Sequence, residues 1–331
     1  MDISTVAQVL AVSYAKLLRQ DKVEIDRLLS AAKHDGVFYL SFDGFSLSEE
    51  LRGDVNALFK IGEETMENEK DELGRCATFA GDEKILSTRY RGPGMQIVDD
   101  EGHRDRTEFI NVLENDLLLS SEPLALPSSI NEARSTFSTF AVQCFNITLV
   151  LLSSLEVGFG MPPGTLTSMH SNLRANSNRV AVTRSVIRDA RVEGGIPALG
   201  AHQDAGTLTV LFNRLGGLEL MQAGEWRPIP ARPECAVINV GKALSACTSD
   251  LLHAPLHRVM APPAVESKSR YSVAYFLRPD HEAQLSIWNP RQSNCENSLG
   301  SDLTSRAWGI DWHKGRLEAV RSGKLDNYAK A

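Results

Sequence analysis

Cysteine is scarce in this 331-residue chain: there are five, at positions 76, 144, 235, 247 and 295, with no C-x-x-C spacing. An odd, scattered set excludes a disulfide framework and a thiolate metal cluster, and it favours reduced thiols and a cytoplasmic location. Positive charge is short as well. Thirty-five Lys and Arg against 42 Asp and Glu leave a net charge of −7, and no basic stripe is present, so neither nucleic acid nor an anionic membrane is the expected partner. No stretch approaches the roughly 18 uninterrupted apolar residues of a membrane span. The opening Met1-Asp-Ile-Ser-Thr5 has neither the basic start nor the apolar core of a signal peptide. Glycines supply no phosphate cradle, since Gly206 and Gly216-Gly217 are followed by no lysine and no helix start, and they read as turn residues. Repeats, long linkers and low-complexity tracts are missing too.

What is present describes a sizeable core: 42% hydrophobic residues beside 23% charged. Ile25 to Lys33 carries apolar residues at helical intervals, stopped by Gly36, and Val37-Phe-Tyr-Leu40 follows as a short buried strand. Residues 46–73, with Leu51, Val55, Leu58 and Phe59 in register, predict a surface helix. Arg89-Tyr-Arg-Gly-Pro-Gly94 reads as a loop. The longest helical pattern runs over 129–157, with Phe137, Phe140, Phe145, Leu152 and Leu155 on its inner face, ended by Gly158, Gly160 and Pro162-Pro163. From 179 the composition turns to alternating runs such as Val180-Ala-Val-Thr183 and Thr207-Leu-Thr-Val-Leu-Phe212, separated by Gly and Pro turns. Helix returns around Leu303 to Val320. A helical first half and a β-rich second half without a break predict one compact unit over 1–331.

Chemistry concentrates in the second half. His202 and Asp204, in Gly200-Ala-His-Gln-Asp204, are two apart and so share one face of an extended segment. His257, in Pro255-Leu-His-Arg-Val259, has to arrive on another strand. Two imidazoles and one carboxylate can occupy one face of an octahedral iron(II) ion and leave three adjacent positions for substrates. An H-x-D alone is common by chance, and Asp204-Ala-Gly206 would also serve as a plain turn. Arg270 and Ser272 are again two apart on a strand, and a guanidinium fork beside a hydroxyl suits a carboxylate. The ordered set therefore suggests an iron site with a chelating dicarboxylate co-substrate. His253 lies four residues before His257, on the same face of a strand, and spacing does not separate the two.

Six stretches, Gly200-Ala-His-Gln-Asp-Ala-Gly-Thr-Leu-Thr209, Gly216-Gly-Leu-Glu-Leu220, Gly224-Glu-Trp-Arg-Pro228, Val237-Ile-Asn-Val-Gly241, His257-Arg-Val259 and Arg270-Tyr-Ser272, resemble the iron(II)- and 2-oxoglutarate-dependent dioxygenases, in the branch related to isopenicillin N synthase. Ala32 to Leu40 resembles that family's amino-terminal region. The resemblance implies a mixed α/β protein with a mainly β core, a double-stranded β-helix (jelly-roll) barrel flanked by helices. It implies an amino-terminal region over 1–125 and an iron and 2-oxoglutarate core over 179–280, within a single catalytic domain. It makes His202, Asp204 and His257 the metal ligands, with His253 outside the site, and gives Arg270 and Ser272 the distal carboxylate of 2-oxoglutarate. Iron(II), 2-oxoglutarate and O2 are then the expected cofactors. The expected reaction couples oxidative decarboxylation of 2-oxoglutarate to hydroxylation, desaturation or ring rearrangement of a small organic molecule, in specialised-metabolite biosynthesis.

The chain departs from the pattern on the first barrel strand. Relatives carry a tyrosine there, whereas Val180-Ala-Val-Thr-Arg-Ser-Val-Ile187 has none, leaving Thr183, Arg184 or Ser185 in its neighbourhood. Arg184, Arg188 and Arg191 read first as exposed strand and loop charges, with contact to an acidic or polar substrate as the alternative. Trp226 and Pro228 read as core, Phe212, Tyr275 and Phe276 as cavity or core, and Arg89, Tyr90 and Arg91 as candidates at the site's mouth. Rival readings are an iron oxidase that needs no 2-oxoglutarate, of the isopenicillin N synthase type, a barrel that binds a small ligand without turnover, and more weakly a zinc hydrolase.

Overall fold

Alternation builds the second half of the chain into strands with two different faces, and helices cover one of them. The computed structural model describes residues 5–45, 48–77, 89–187, 195–260, 269–285, 287–289 and 294–296. Twelve strands form its two facing sheets: β1 (Ala11–Ser13), β2 (Val37–Ser41), β3 (Tyr90–Arg91), β4 (Thr107–Leu113), β5 (Arg179–Val186), β6 (Leu199–His202), β7 (Leu208–Asn213), β8 (Leu218–Gln222), β9 (Glu225–Pro228), β10 (Cys235–Val240), β11 (His257–Val259) and β12 (Ser269–Leu277). The larger sheet has the order β1-β2-β10-β7-β12-β5-β4-β3 and the smaller one β6-β11-β8-β9. Every pairing is antiparallel except β1 with β2. This two-sheet arrangement is a jelly-roll barrel.

Parity along the strands decides what each residue does. Val180 and Val182 on β5, Val210 and Phe212 on β7, Ile238 and Val240 on β10, and Val273, Tyr275 and Leu277 on β12 all join the main apolar cluster. The helix Arg134–Phe159 supplies the other side of that cluster through Phe137, Phe140, Cys144, Leu151 and Leu155. Its length and apolarity would allow a membrane crossing, but most of it is buried inside this protein. The helix Lys22–His34 starts on Asp21, whose carboxylate accepts a 3.0 Å bond from the Glu24 amide. Ser48–Asn68 forms the helix expected over 46–73. Residues on the opposite parity, among them Thr183, Thr209, Asn239, Arg270 and Ser272, face the smaller sheet and line the cavity between the two.

Two expectations are corrected. Tyr90 and Arg91 are an edge strand, not loop, paired with Ile110 and Phe109. Trp226 is half-buried and not core: β9 is the edge of the smaller sheet, and the Arg258 guanidinium lies 4.3 Å above the indole. The helix expected around 303–320, with Arg188 and Arg191, falls outside the described residues.

His170 ties the helical layer to the site. Buried just after a single 3-10 turn, it contacts the Leu166 carbonyl through Nδ1 (3.0 Å) and the Thr207 hydroxyl through Nε2 (2.8 Å). Burial pushes its pKa from 6.5 down to about 4. The unfolded chain therefore binds a proton that the folded protein refuses, so this contribution is complete above pH 6.5 and is lost as pH falls toward 4. We expect acidification over that window to cost about 3 kcal/mol through this residue. Melting temperature measured against pH should fall less steeply in His170→Gln than in the wild type; parallel curves would remove His170 as the cause.

Candidate metal centre

Antiparallel pairing of β11 with β6 closes the long gap between the two histidines by setting His257 directly opposite His202. The ring centroids are 4.3 Å apart. Asp204 follows on the turn after β6, with Oδ1 3.8 Å from the Nε2 of His202 and 3.9 Å from that of His257. One donor atom from each of the three lies within 4.8 Å of the others.

The same local device orients both rings. His202 Nδ1 is 2.9 Å from the Gly200 carbonyl and His257 Nδ1 is 3.0 Å from the Pro255 carbonyl, each two residues back. A carbonyl only accepts, so Nδ1 carries the proton and each Nε2 presents a lone pair toward Asp204. Asp204 is 9% exposed, and its Oδ2 accepts a 2.7 Å bond from the Thr209 hydroxyl. Burial alone would raise its pKa, but His257, His202 and hydrogen bonds from Thr209 and Asn239 outweigh it and hold the carboxyl below its usual range. The turn carrying Asp204 is locked from behind. Lys242 and Ala243 donate their amides to the Asp204 and Gly206 carbonyls at 2.8 and 3.1 Å, and a Cβ on Gly241 would stand 2.0 Å from the Gly206 oxygen. Two pre-oriented imidazole nitrogens and one anchored carboxylate, with no thiolate among them, are a donor set that fits iron(II).

A second polar group lies along the same cavity. Arg270, 2% exposed, donates from Nε to the Gly216 carbonyl at 2.7 Å. Gly217, at φ +98°, leaves room for it: a Cβ there would stand 3.5 Å from the guanidinium and 2.5 Å from the Met260 oxygen. Among the described residues no carboxylate forms an ion pair with Arg270, and burial pushes its pKa down to about 10. Ser272 shares its hydroxyl with Thr183, 2.6 Å away and directly opposite on β5. Ser185 pairs likewise with Thr107 at 2.8 Å. The neighbourhood left open on the first barrel strand is thus divided by parity. Thr183 and Ser185 line the cavity, while Arg184 turns to the other face and binds Glu108.

The other candidates separate cleanly. Phe276 lines the cavity, whereas Phe212 and Tyr275 are core. His253 is exposed, four residues before His257. Arg91 pairs with Asp105 at 2.8 Å and stacks 4.2 Å over Phe109, itself a cavity residue; Tyr90 donates to Glu108, and Arg89 binds Asp116. The sequence alone does not single out Thr107 and Phe109: Thr107-Glu-Phe-Ile-Asn-Val-Leu113 is rich in β-formers but does not alternate, and its pairing with β5 is what brings both residues to the cavity.

Residues 169–279 match the model of the 2OG-Fe(II) oxygenase superfamily. The chain is 27% identical to the 2-oxoglutarate-dependent dioxygenase gloE of Glarea lozoyensis, over 91% of this chain and 85% of that protein. It is 23% identical to the 2-oxoglutarate-dependent dioxygenase FG08081 of Gibberella zeae, over 86% and 83%. In fold it is similar to a full-length Neurospora crassa protein solved in complex with alpha-KG, at a TM-score of 0.76 and 18% identity, covering 94% of this chain and 97% of that one. Family match, relatives and barrel agree in supporting an iron(II)- and 2-oxoglutarate-dependent dioxygenase.

Proposed function

We propose that His202, Asp204 and His257 hold the iron and that Arg270, with Ser272 and Thr183, holds the distal carboxylate of 2-oxoglutarate. One observation carries this reading: a buried arginine with no carboxylate partner among the described residues shares a cavity with a converged His-Asp-His set. A guanidinium so placed is costly until an anion offsets it, and a dicarboxylate that reaches the metal brings one. Bound iron(II) would supply O2 activation coupled to oxidative decarboxylation of 2-oxoglutarate to succinate and CO2.

The chain's own residues do the rest. The carbonyls of Gly200 and Pro255 keep both imidazoles in the ligating tautomer, and Thr209 keeps the Asp204 carboxylate aimed. Phe109, Leu199, Leu211, Leu218, Val259 and Phe276 give the cavity an apolar wall that excludes water and positions a carbon skeleton. The primary substrate is then a small organic molecule, oxidised by hydroxylation, desaturation or ring rearrangement, and we place the enzyme in specialised metabolism. The Neurospora crassa protein of similar fold has been solved with thymine and with 5-formyluracil, ligands of that size. A cytoplasmic location is part of the proposal, supported by free thiols at Cys76, Cys144, Cys235 and Cys247.

The test is consumption of 2-oxoglutarate by the purified protein. We expect slow succinate release even without primary substrate, dependent on iron(II) and O2 and matched one to one by CO2. Iron-dependent O2 uptake without succinate would favour the oxidase alternative and sink this reading.

A further inference from the structure

Two more arginines flank the centre, and the chemistry above uses neither. Arg179 opens β5 opposite Phe276, and its guanidinium lies 5.0 Å from the Phe276 ring, which lines the cavity. Arg278 directly follows β12, eight residues beyond Arg270. Its Cγ is 3.3 Å from where a Cβ on Gly206 would stand, two residues past Asp204. Arg278 is 9% exposed, and Nε of both arginines is shielded from solvent with no hydrogen-bond partner. No carboxylate forms an ion pair with either among the described residues. Burial pushes Arg179 down to about 9 and Arg278 to about 10; each feels the charge of Asp204, and Arg179 also feels the repulsion of Arg278.

Asp204 cannot serve as their counter-ion, because its oxygens are already turned to His202, His257 and Thr209. Two shielded, mutually repelling guanidinium groups are costly to keep unless an anion arrives to accept from them. That anion is not 2-oxoglutarate. Eight residues of strand separate Arg278 from Arg270 by on the order of 25 Å, well beyond the reach of a five-carbon diacid held at the first arginine. We propose that Arg179 and Arg278 form a second anion-binding pole, which recognises a carboxylate on the primary substrate and makes organic acids its substrate class. The proposal rests on the reading of Arg270 as the 2-oxoglutarate anchor. An acid held at this pole lays its skeleton against Phe276, beside Asp204, with its carboxylate end fixed.

The experiment is thermal denaturation of the full-length protein with manganese(II) and saturating 2-oxoglutarate. Three acids are titrated in, phenylacetate, cyclohexanecarboxylate and octanoate, each beside its own primary amide. We expect at least one acid, and not its amide, to raise the melting temperature further. In Arg179→Gln and in Arg278→Gln the half-saturating concentration of that acid should rise at least about tenfold, with Arg278→Lys recovering part of it. Both Gln variants should keep the full 2-oxoglutarate response and melt, without ligand, no lower than the wild type. Acids that act no better than their amides would overturn the proposal, as would an undiminished acid response in both variants. A lower ligand-free melting temperature in both would also overturn it, since the arginines would then be structural. Loss of the wild-type 2-oxoglutarate response is a separate outcome: it strikes the Arg270 assignment and leaves the acid-against-amide comparison readable.

Discussion

Asp204→Asn is expected to remove metal binding and 2-oxoglutarate turnover together, lowering turnover by at least about a thousandfold, or about 4 kcal/mol of barrier. The exchange is nearly isosteric, so the turn locked by Lys242 and Ala243 should still form. What changes is charge. Asp204 is the sole anion of the three converged groups, standing 3.8 and 3.9 Å from two imidazole nitrogens. An amide there offers either a neutral oxygen or an NH2 directed at the metal. It also disturbs the 2.7 Å bond from Thr209, which an ionised carboxylate accepts without ambiguity. Metal content after anaerobic reconstitution is the direct measurement, with far-UV circular dichroism to show that the barrel persists. Stoichiometric iron in a folded variant, with succinate release within tenfold of wild type, would refute the assignment of Asp204 as a ligand.

The sequence showed most where chemistry and local period coincide. His202 and Asp204 sit two apart beside the end of a strand, Arg270 and Ser272 two apart within one, and both pairs do face a common cavity. What it hid is set by pairing across long stretches of chain. The β-rich composition begins at 179, yet the larger sheet also takes β1, β2, β3 and β4 from the first 113 residues, and register between such distant strands leaves no local mark. The Thr183–Ser272 contact is of that kind. No feature of either strand alone says that these hydroxyls meet, and it is the register of β5 on β12 that decides it. Parity cannot choose between His253 and His257, whereas pairing with β6 does, since β11 begins at His257. Trp226 looked like core because a large aromatic in an alternating run usually is; an edge strand leaves one side open, and an arginine covers it. Arg179 and Arg278 carry no local mark at all, because burial at the end of a strand depends on what the rest of the fold lays over it.

Arg270→Met is expected to separate affinity for 2-oxoglutarate from stability, in opposite directions. Two charge-assisted hydrogen bonds to a carboxylate are worth about 1.5–3 kcal/mol each. Their loss should raise the 2-oxoglutarate requirement by about two to four orders of magnitude while the metal site stays intact. The ligand-free protein should not suffer. Burial alone depresses the Arg270 pKa from 12.5 to about 10, so the unfolded chain holds this proton more tightly than the folded one. The resulting penalty is therefore present at every pH below about 10 and is relieved only as pH rises from there toward 12.5. It amounts to about 3 kcal/mol. Against it stands one bond, from Nε to the Gly216 carbonyl, worth about 1 kcal/mol. A methionine of similar reach removes both, so the ligand-free variant should melt at or above the wild-type temperature at neutral pH. 2-Oxoglutarate at a concentration that just saturates the wild type should then stabilise only the wild type, because a bound carboxylate offsets the penalty in one protein and finds no guanidinium in the other. Melting curves of both proteins with and without 2-oxoglutarate decide the matter. A variant whose 2-oxoglutarate stabilisation stays within threefold of wild type in half-saturating concentration would mean that the co-substrate is anchored elsewhere. A large fall in ligand-free melting temperature would mean that Arg270 serves the barrel before it serves any ligand.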